Sequence, residues 1–559
     1  MPTETDTEKG PKPVTGEEVA SDINAGTSQP ETKTTKRGLK SRHAQMLALG
    51  GTIGTALFVS SGQTLARGGP AFILGCYCFM SLVVYTVLTG LTEIATFMPV
   101  SGSSVSYYAS RVVSPSVGFA TGWLYVYSMA ILAPYEVTAA SLVIGYWHNS
   151  VNIGVWITVM IVVVVALNSL PVRFYGETEF WFASLKVIMM AGLLIVSIVI
   201  FFGGGPNHDR LGFRYWNDPG AANTYILDGN TGRLLSLLST LTLSALPFTF
   251  APEFLILTTG EMANPRRTLP RAAKRYIYRI LFFYISSILA ITVICPSNDS
   301  TLTSGGTGAG ASPFVVGIKN AAIPVLDSVI NGGILVSAWS SGNSFLYMAT
   351  RSLYSQARAG NAPPWFLACT KGGVPYRCVA VCSLFCALAY TNLGDSSAVV
   401  FNWFVNLTNQ SAFISWTCCC IVYLRFRKAC QTQGITNTNT NTNTDSQTNV
   451  HLPYTSRFQP WGSYFGLALF PFLTLINGFD VFFPSKWSVS SFFTAYVGIP
   501  LFFSFYVLHR VWNWSDTWLY KPEEVDLKTG VEDVEEEVRD GREEKREKTV
   551  WGAVKALWE

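Results

Sequence analysis

Charge is what this chain has least of. Only 13% of its 559 residues are Asp, Glu, Lys or Arg, about half the usual share of a soluble domain, while 49% are hydrophobic and 14% aromatic. That balance excludes a water-soluble globular domain and points to a membrane. A formal net charge of +4 is too small to argue for nucleic acid. The eleven cysteines lie mostly in apolar runs, as with Cys76, Cys78, Cys295 and Cys418 to Cys420, and have the spacing of neither a disulfide framework nor a metal site. Cys378, Cys382 and Cys386 share one helical face and read as small-residue packing. The histidines fall in tails, connections or near a span end, without zinc spacing. GGTIGT at 50–55 looks like a dinucleotide loop, but no strand precedes it. With no phosphate loop or hydrolase elbow either, no enzyme, cofactor or metal is expected. The first 43 residues are polar and lack the apolar core of a signal peptide; they read as a disordered cytosolic tail.

Long apolar runs are what the chain does have. A spanning helix needs roughly 20 apolar residues, and about twelve stretches qualify, near 44–66, 71–97, 117–146, 151–170, 179–202, 234–259, 277–295, 325–348, 378–393, 399–424, 461–483 and 489–510. Lys and Arg mark the cytosolic side. With the N-terminus inside, the cytosolic connection 260–279 carries Arg266, Arg267, Arg271, Lys274, Arg275 and Arg279. The connection 349–377 carries Arg351, Arg358, Lys371 and Arg377, and the one after the tenth span opens with Arg425, Arg427 and Lys428. The opposite connections are poorer: 296–324 has only Lys319, and 203–233 offsets its arginines with Asp209, Asp218 and Asp228. Both termini are therefore expected in the cytosol, and the sequon at Asn298 outside. The run TNTNTNTNT at 436–444 is a low-complexity spacer within 427–460, and the mixed charges of Glu532 to Lys548 read as a solvated stretch of the C-terminal tail, 511–559.

Two spans are interrupted. LALGGTIGTALF at 47–58 sets Gly50, Gly51 and Gly54 inside an apolar run, although glycine costs a helix interior about 1 kcal/mol relative to alanine. Five spans later, LSALPFTFAPEFLILTTGE at 243–261 holds Pro247, Pro252 and Glu253. Interrupted spans opening each half of a membrane protein point to inverted repeats, here 44–203 and 234–426, with a site at mid-membrane. One half-helix end offers N–H groups to a carboxylate, the other carbonyls to an ammonium. An amino acid carries both.

Four segments, LKSRHAQMLALGGTIGTALF, GETEFWFASLKVI, GEMANPRRTLPRA and SGNSFLYMATRSLYSQARAGNAP, resemble in order the fungal amino acid permeases. These are the yeast amino acid transporter branch of the amino acid–polyamine–organocation superfamily. The resemblance implies an all-α integral membrane protein of the LeuT-type fold, two inverted five-helix repeats plus two helices. It also implies amino acid import with protons across the plasma membrane. By the same resemblance, Gly50, Gly51, Thr52, Ile53, Gly54 and Thr55 bind the substrate carboxylate through backbone amides. Thr249, Phe250, Ala251 and Pro252 receive its amino group and side chain. The commoner pattern has glycine and threonine where this chain has Ala251 and Pro252, which withholds an inference of specificity.

Ionisable groups inside spans cost at least about 2.5 kcal/mol and are usually functional or paired. Lys186 matches the lysine that replaces sodium in proton-coupled relatives, with Ser341 expected to face it. Glu136 and Glu253 match acidic positions tied to proton or substrate handling, and Glu93, nearer a span end, is expected to pack a cytosolic loop. Arg266 and its neighbours are inner-gate partners for Glu177 or Glu261, or topogenic charges. Phe401 and Phe404 resemble aromatic lids. Ubiquitin-ligase adaptors acting on tail lysines such as Lys9, Lys12, Lys33 and Lys36 remain an open partner class. The rivals are an amino acid sensor on the same fold, which would use a longer tail, and a channel, which would need a continuous polar strip. Proline, broad neutral and basic substrates all stay open.

Overall fold

The computed structural model describes residues 54–99, 104–147, 150–257, 265–303, 312–394, 397–435 and 452–527. Gly50, Gly51, Thr52, Ile53, Glu261, the N-terminal tail, the spacer and the stretch from Glu532 to Lys548 lie outside them.

Every expected span meets helix, and there is no strand among the described residues. α1 is Thr55–Phe58 and α2 Ser60–Phe97. α2 turns at Gly69, whose φ of +74° precedes Pro70, separating the first span from the second. A side chain at Gly69 would also meet the Ala221 carbonyl at 3.0 Å, so both backbone angle and room require glycine. α3 is Val105–Val112 and α4 Pro115–Ile144, each opened by a serine whose hydroxyl accepts a first-turn N–H: Ser104 from Tyr107, Ser114 from Val117. Asn152 caps α5, Ile153–Asn168, in the same way. α6 is Val172–Phe201 and α7 Gly229–Leu243. After the second interruption come α8, Ala251–Leu257, and α9, Pro265–Arg279. A π-turn, Ile280–Ile285, joins α9 to α10, Ser286–Ile294. Then follow α11, Pro313–Asn320; α12, Leu326–Arg358; α13, Tyr376–Cys386; and α14, Ser397–Thr432. The last are α15, Trp461–Ile476; α16, Val489–Tyr496; and α17, Gly498–Trp512.

Several helices outrun their expected spans, α6 and α9 at the start and α12 and α14 at the end. α12 continues from 348 to Arg358 and α14 from 424 to Thr432, because hydropathy falls where the chain leaves hydrocarbon while the backbone ladder needs no lipid to continue. Arg351, Arg358, Arg425, Arg427 and Lys428 thus ride on helix ends rather than loops.

α4 and α12 pack side by side at the centre, and α14, α5, α6 and α2 pack around them. α6 is inside out relative to a soluble helix: Trp181, Leu185, Ile188 and Ile195 are exposed while Glu179 and Lys186 are buried. That is the pattern of a span whose outer face meets lipid. At one end of the bundle the segment after α17 docks back. Tyr520 N–H donates to the Val113 carbonyl at 3.0 Å, Arg111 pairs with Asp526 at 3.2 Å, and Val525 and Leu527 are buried. Glu93 is fixed at the same end, accepting from Tyr423 Oη and from the Ser456 amide, each at 2.6 Å. Glu93 was expected to pack a cytosolic loop, and Ser456 belongs to the connection 427–460.

Candidate functional site

Gly54 is extended, at φ −123° and ψ −163°, and the helix opens at Thr55. Thr55 Oγ1 donates to Glu136 Oε2 at 2.7 Å. A Cβ on Gly54 would stand 2.7 Å from Glu136 Oε1 and 3.0 Å from Ser341 Oγ, so any larger residue here must displace the Glu136 carboxylate. Lys186 Nζ donates to that same Ser341 hydroxyl at 3.0 Å. Side chains from α1, α4, α6 and α12 therefore meet around one extended residue, all of them buried.

The second interruption lies alongside. Leu246–Phe248 forms a 3-10 turn, Phe250 takes φ +56°, and α8 starts at Ala251. A left-handed phenylalanine is strained by about 1–2 kcal/mol. Packing holds it: Phe250 is fully buried and set edge-on to Tyr125, ring centroids 5.8 Å apart. Tyr284 Oη donates to the Pro247 carbonyl at 3.2 Å while its ring stacks on Phe248. The Thr249 hydroxyl is buried with no hydrogen-bond partner among the described residues.

Between the interruptions is a cavity of about 20 Å³ lined by Gly54, Tyr135, Glu136, Pro247, Thr249 and Phe345, among others. It has room for about one water and none for an amino acid. Of the expected substrate residues, Gly54 and Thr249 line the cavity and Thr55 holds its carboxylate. Phe250, Ala251 and Pro252 are buried outside the lining.

The ionisable residues separate into two groups. Glu136, held by Thr55, and Ser341, held by Lys186, both stand against Gly54. Glu253 sits elsewhere, its Oε1 accepting from Ser415 Oγ at 2.7 Å, with Tyr125 Oη at 3.4 Å. It borders a second small cavity with Ser106, Ser352 and Gln356. Tyr125 and Glu136 are eleven residues apart on α4, about 16 Å along its axis. Phe401 stacks on Tyr135 at 5.2 Å, and Phe404 is buried in the same core.

Toward the opposite end from Glu253 opens a larger cavity, about 320 Å³. Arg67, Tyr225, Asn402 and Asp480 help to line it. Arg67 lies over the Tyr225 ring and donates to Ser239 at 2.9 Å, and Tyr225 Oη donates to Asp480 at 2.8 Å. Sequence reasoning missed Tyr135, Phe345 and this larger chamber. Tyr135 adjoins Glu136, a usable signal; the chamber is assembled from α2, α7, α14 and connections far apart in sequence, and left none.

Residues 43–518 match the family model described as amino acid permease. The chain is similar to the proline-specific permease of Emericella nidulans, 45% identical over 509 residues that cover 90% of each protein. It is also similar to a probable proline-specific permease of Schizosaccharomyces pombe, 46% identical over 489 residues, covering 87% of this chain and 86% of the other. Among solved structures, a mutant of the manganese transporter of Eremococcus coleocola aligns with TM-score 0.52 over 89% of this chain and 98% of its own. At 14% identity that likeness concerns the fold alone.

Proposed function

The chain belongs to the amino acid permease family, and on that premise we propose that it imports amino acids, L-proline foremost, across the plasma membrane together with protons by alternating access. The observation that carries this reading is the meeting of two interrupted spans at a buried cavity walled by a carboxylate that is hydrogen-bonded to the first of them. The N–H groups opening the helix at Thr55, with those of 50–53, receive the substrate carboxylate. The carbonyls around Pro247 and the unpartnered Thr249 hydroxyl receive its amino group.

The wall favours a compact neutral side chain. Besides Glu136, which Thr55 already engages, the cavity offers aromatic and aliphatic surface from Tyr135, Phe345, Leu132 and Leu246. The names of the similar proline-specific permeases agree with that preference. Lys186 supplies a positive charge beside Glu136, and Glu136 the proton site. Glu253, in its separate pocket, serves helix closure at the inner end, and Phe401 over Tyr135 the outer lid. The side rich in Arg and Lys faces the cytosol, so both termini are cytosolic and the Arg67 chamber faces outward.

Uptake of tritiated L-proline into proteoliposomes tests the reading. An acid-outside gradient is expected to raise uptake several-fold, and a protonophore to abolish the gain. Proline flux indifferent to the gradient removes proton coupling, and failure of proline to compete with another carried amino acid removes the substrate assignment.

A further inference from the structure

We propose that Glu179 is the second station of the proton path, the carboxylate that receives what Lys186 gives up and hands it toward the inner end of the bundle. The inference rests on the proton-coupled reading above. Glu179 lies on α6 and is 1% exposed, although Trp181 beside it is 70% exposed. It precedes Lys186 by seven residues, two helical turns and about 10.5 Å, on the same face.

Neighbouring serines of α12 tie the two together. Ser340 Oγ donates to Glu179, 3.2 Å from each carboxylate oxygen, and Ser341 Oγ accepts from Lys186 at 3.0 Å. Thr55, Glu136, Lys186 and Glu179 thus form a row from the substrate cavity toward the Val172 end of α6. One turn beyond Glu179, Tyr175 is stacked on Tyr347 with ring centroids 4.0 Å apart, and Arg351 lies over the Tyr347 ring at 4.7 Å. Glu179 therefore has Lys186 and Tyr175 on its own helix, and Tyr347 and Arg351 on α12, as its charged and titratable surroundings, with Glu136 of α4 beyond Lys186.

The charge count explains why a path is needed. Two buried carboxylates and one ammonium carry a net negative charge, which the bundle tolerates poorly; one added proton makes the row neutral. That proton can rest on either carboxylate. To move it, an N–H bond of the Lys186 ammonium breaks as an O–H bond forms on Glu179, and the neutral amine then takes the proton of Glu136. Glu136 ends ionised, Glu179 protonated and Lys186 unchanged. The flexible four-carbon stem of lysine suits the transfer. Among the described residues the Tyr175–Tyr347 stack stands one turn beyond Glu179, so parting of α6 from α12 releases the proton inward.

The test separates coupling from binding. In proteoliposomes holding Glu179→Gln, counterflow of tritiated L-proline at equal pH is expected within about twofold of the parent, while accumulation driven by a proton gradient falls about tenfold or more, with Glu179→Asp restoring it. Gradient-driven accumulation by Glu179→Gln equal to the parent's overturns the proposal, as does loss of counterflow and accumulation in the same proportion. A parent protein indifferent to the gradient refutes the coupled reading itself, which keeps the two failures distinct.

Discussion

At Gly54 the chain is extended and a side chain would crowd Glu136, whereas at Phe250 a whole aromatic ring is forced into a left-handed backbone. The first interruption is a matter of room. A backbone with no side chain lies against the ionisable row and leaves its N–H groups approachable. The second is a matter of packing. Phe250 is pinned by Tyr125, and its strained angle turns the chain between Thr249 and α8. One interruption lacks room for a side chain and the other places a ring, so the same change of residue should act differently at each.

The largest effect is expected at the first. In Gly54→Val the added carbon would begin 2.7 Å from Glu136 Oε1, and displacement of the row on that scale should cut uptake about 100-fold or more. Uptake assays beside surface labelling would check that insertion persists; normal uptake would mean that the first interruption is not the site. At the second interruption the comparison sharpens on strain. Phe250→Gly is expected to be about 1 kcal/mol more stable in detergent than Phe250→Ala, because only glycine accepts φ +56° freely, although glycine ordinarily loses to alanine. The opposite order would show that the positive angle does not survive removal of the ring. The smallest effect belongs to Pro252→Ala. Pro252 is in the first turn of α8, where a missing N–H costs nothing, so stability should change by about 0.5 kcal/mol or less with uptake unaltered. A tenfold loss would mean that Pro252 rather than Phe250 holds the interruption open.

Much of the fold was legible because a bilayer leaves few choices: apolar runs of sufficient length become helices, and α4, α6 and α10 lie where the runs do. Helix ends were less legible, since α12 and α14 continue into water on polar residues. Of the glycines that mark the first interruption, Gly54 alone lies among the described residues, extended before the helix start at Thr55. The second was bracketed by Pro247 and Pro252, but its turning residue, Phe250, looks like any apolar residue until tertiary packing forces its backbone. The Lys186–Ser341 contact was foreseen. Glu179 stands in the same motif as Lys186, and counting seven residues would have placed both on one face, yet a hydropathy window records it only as a charge at a span's edge. That Glu253 gathers Tyr125 and Ser415 instead of joining Glu136 depends on how α4, α8 and α14 cross, which no local pattern encodes.

An experimental structure with L-proline bound tests the central claim most directly. The ligand is expected between Gly54 and Thr249, its carboxylate on the N–H groups that open the helix at Thr55, its amino group toward the carbonyls around Pro247, with Tyr135 and Phe345 moved apart to widen the small cavity. Proline held instead in the outer chamber beside Arg67 and Asp480, with the space between the interruptions no wider, would contradict it.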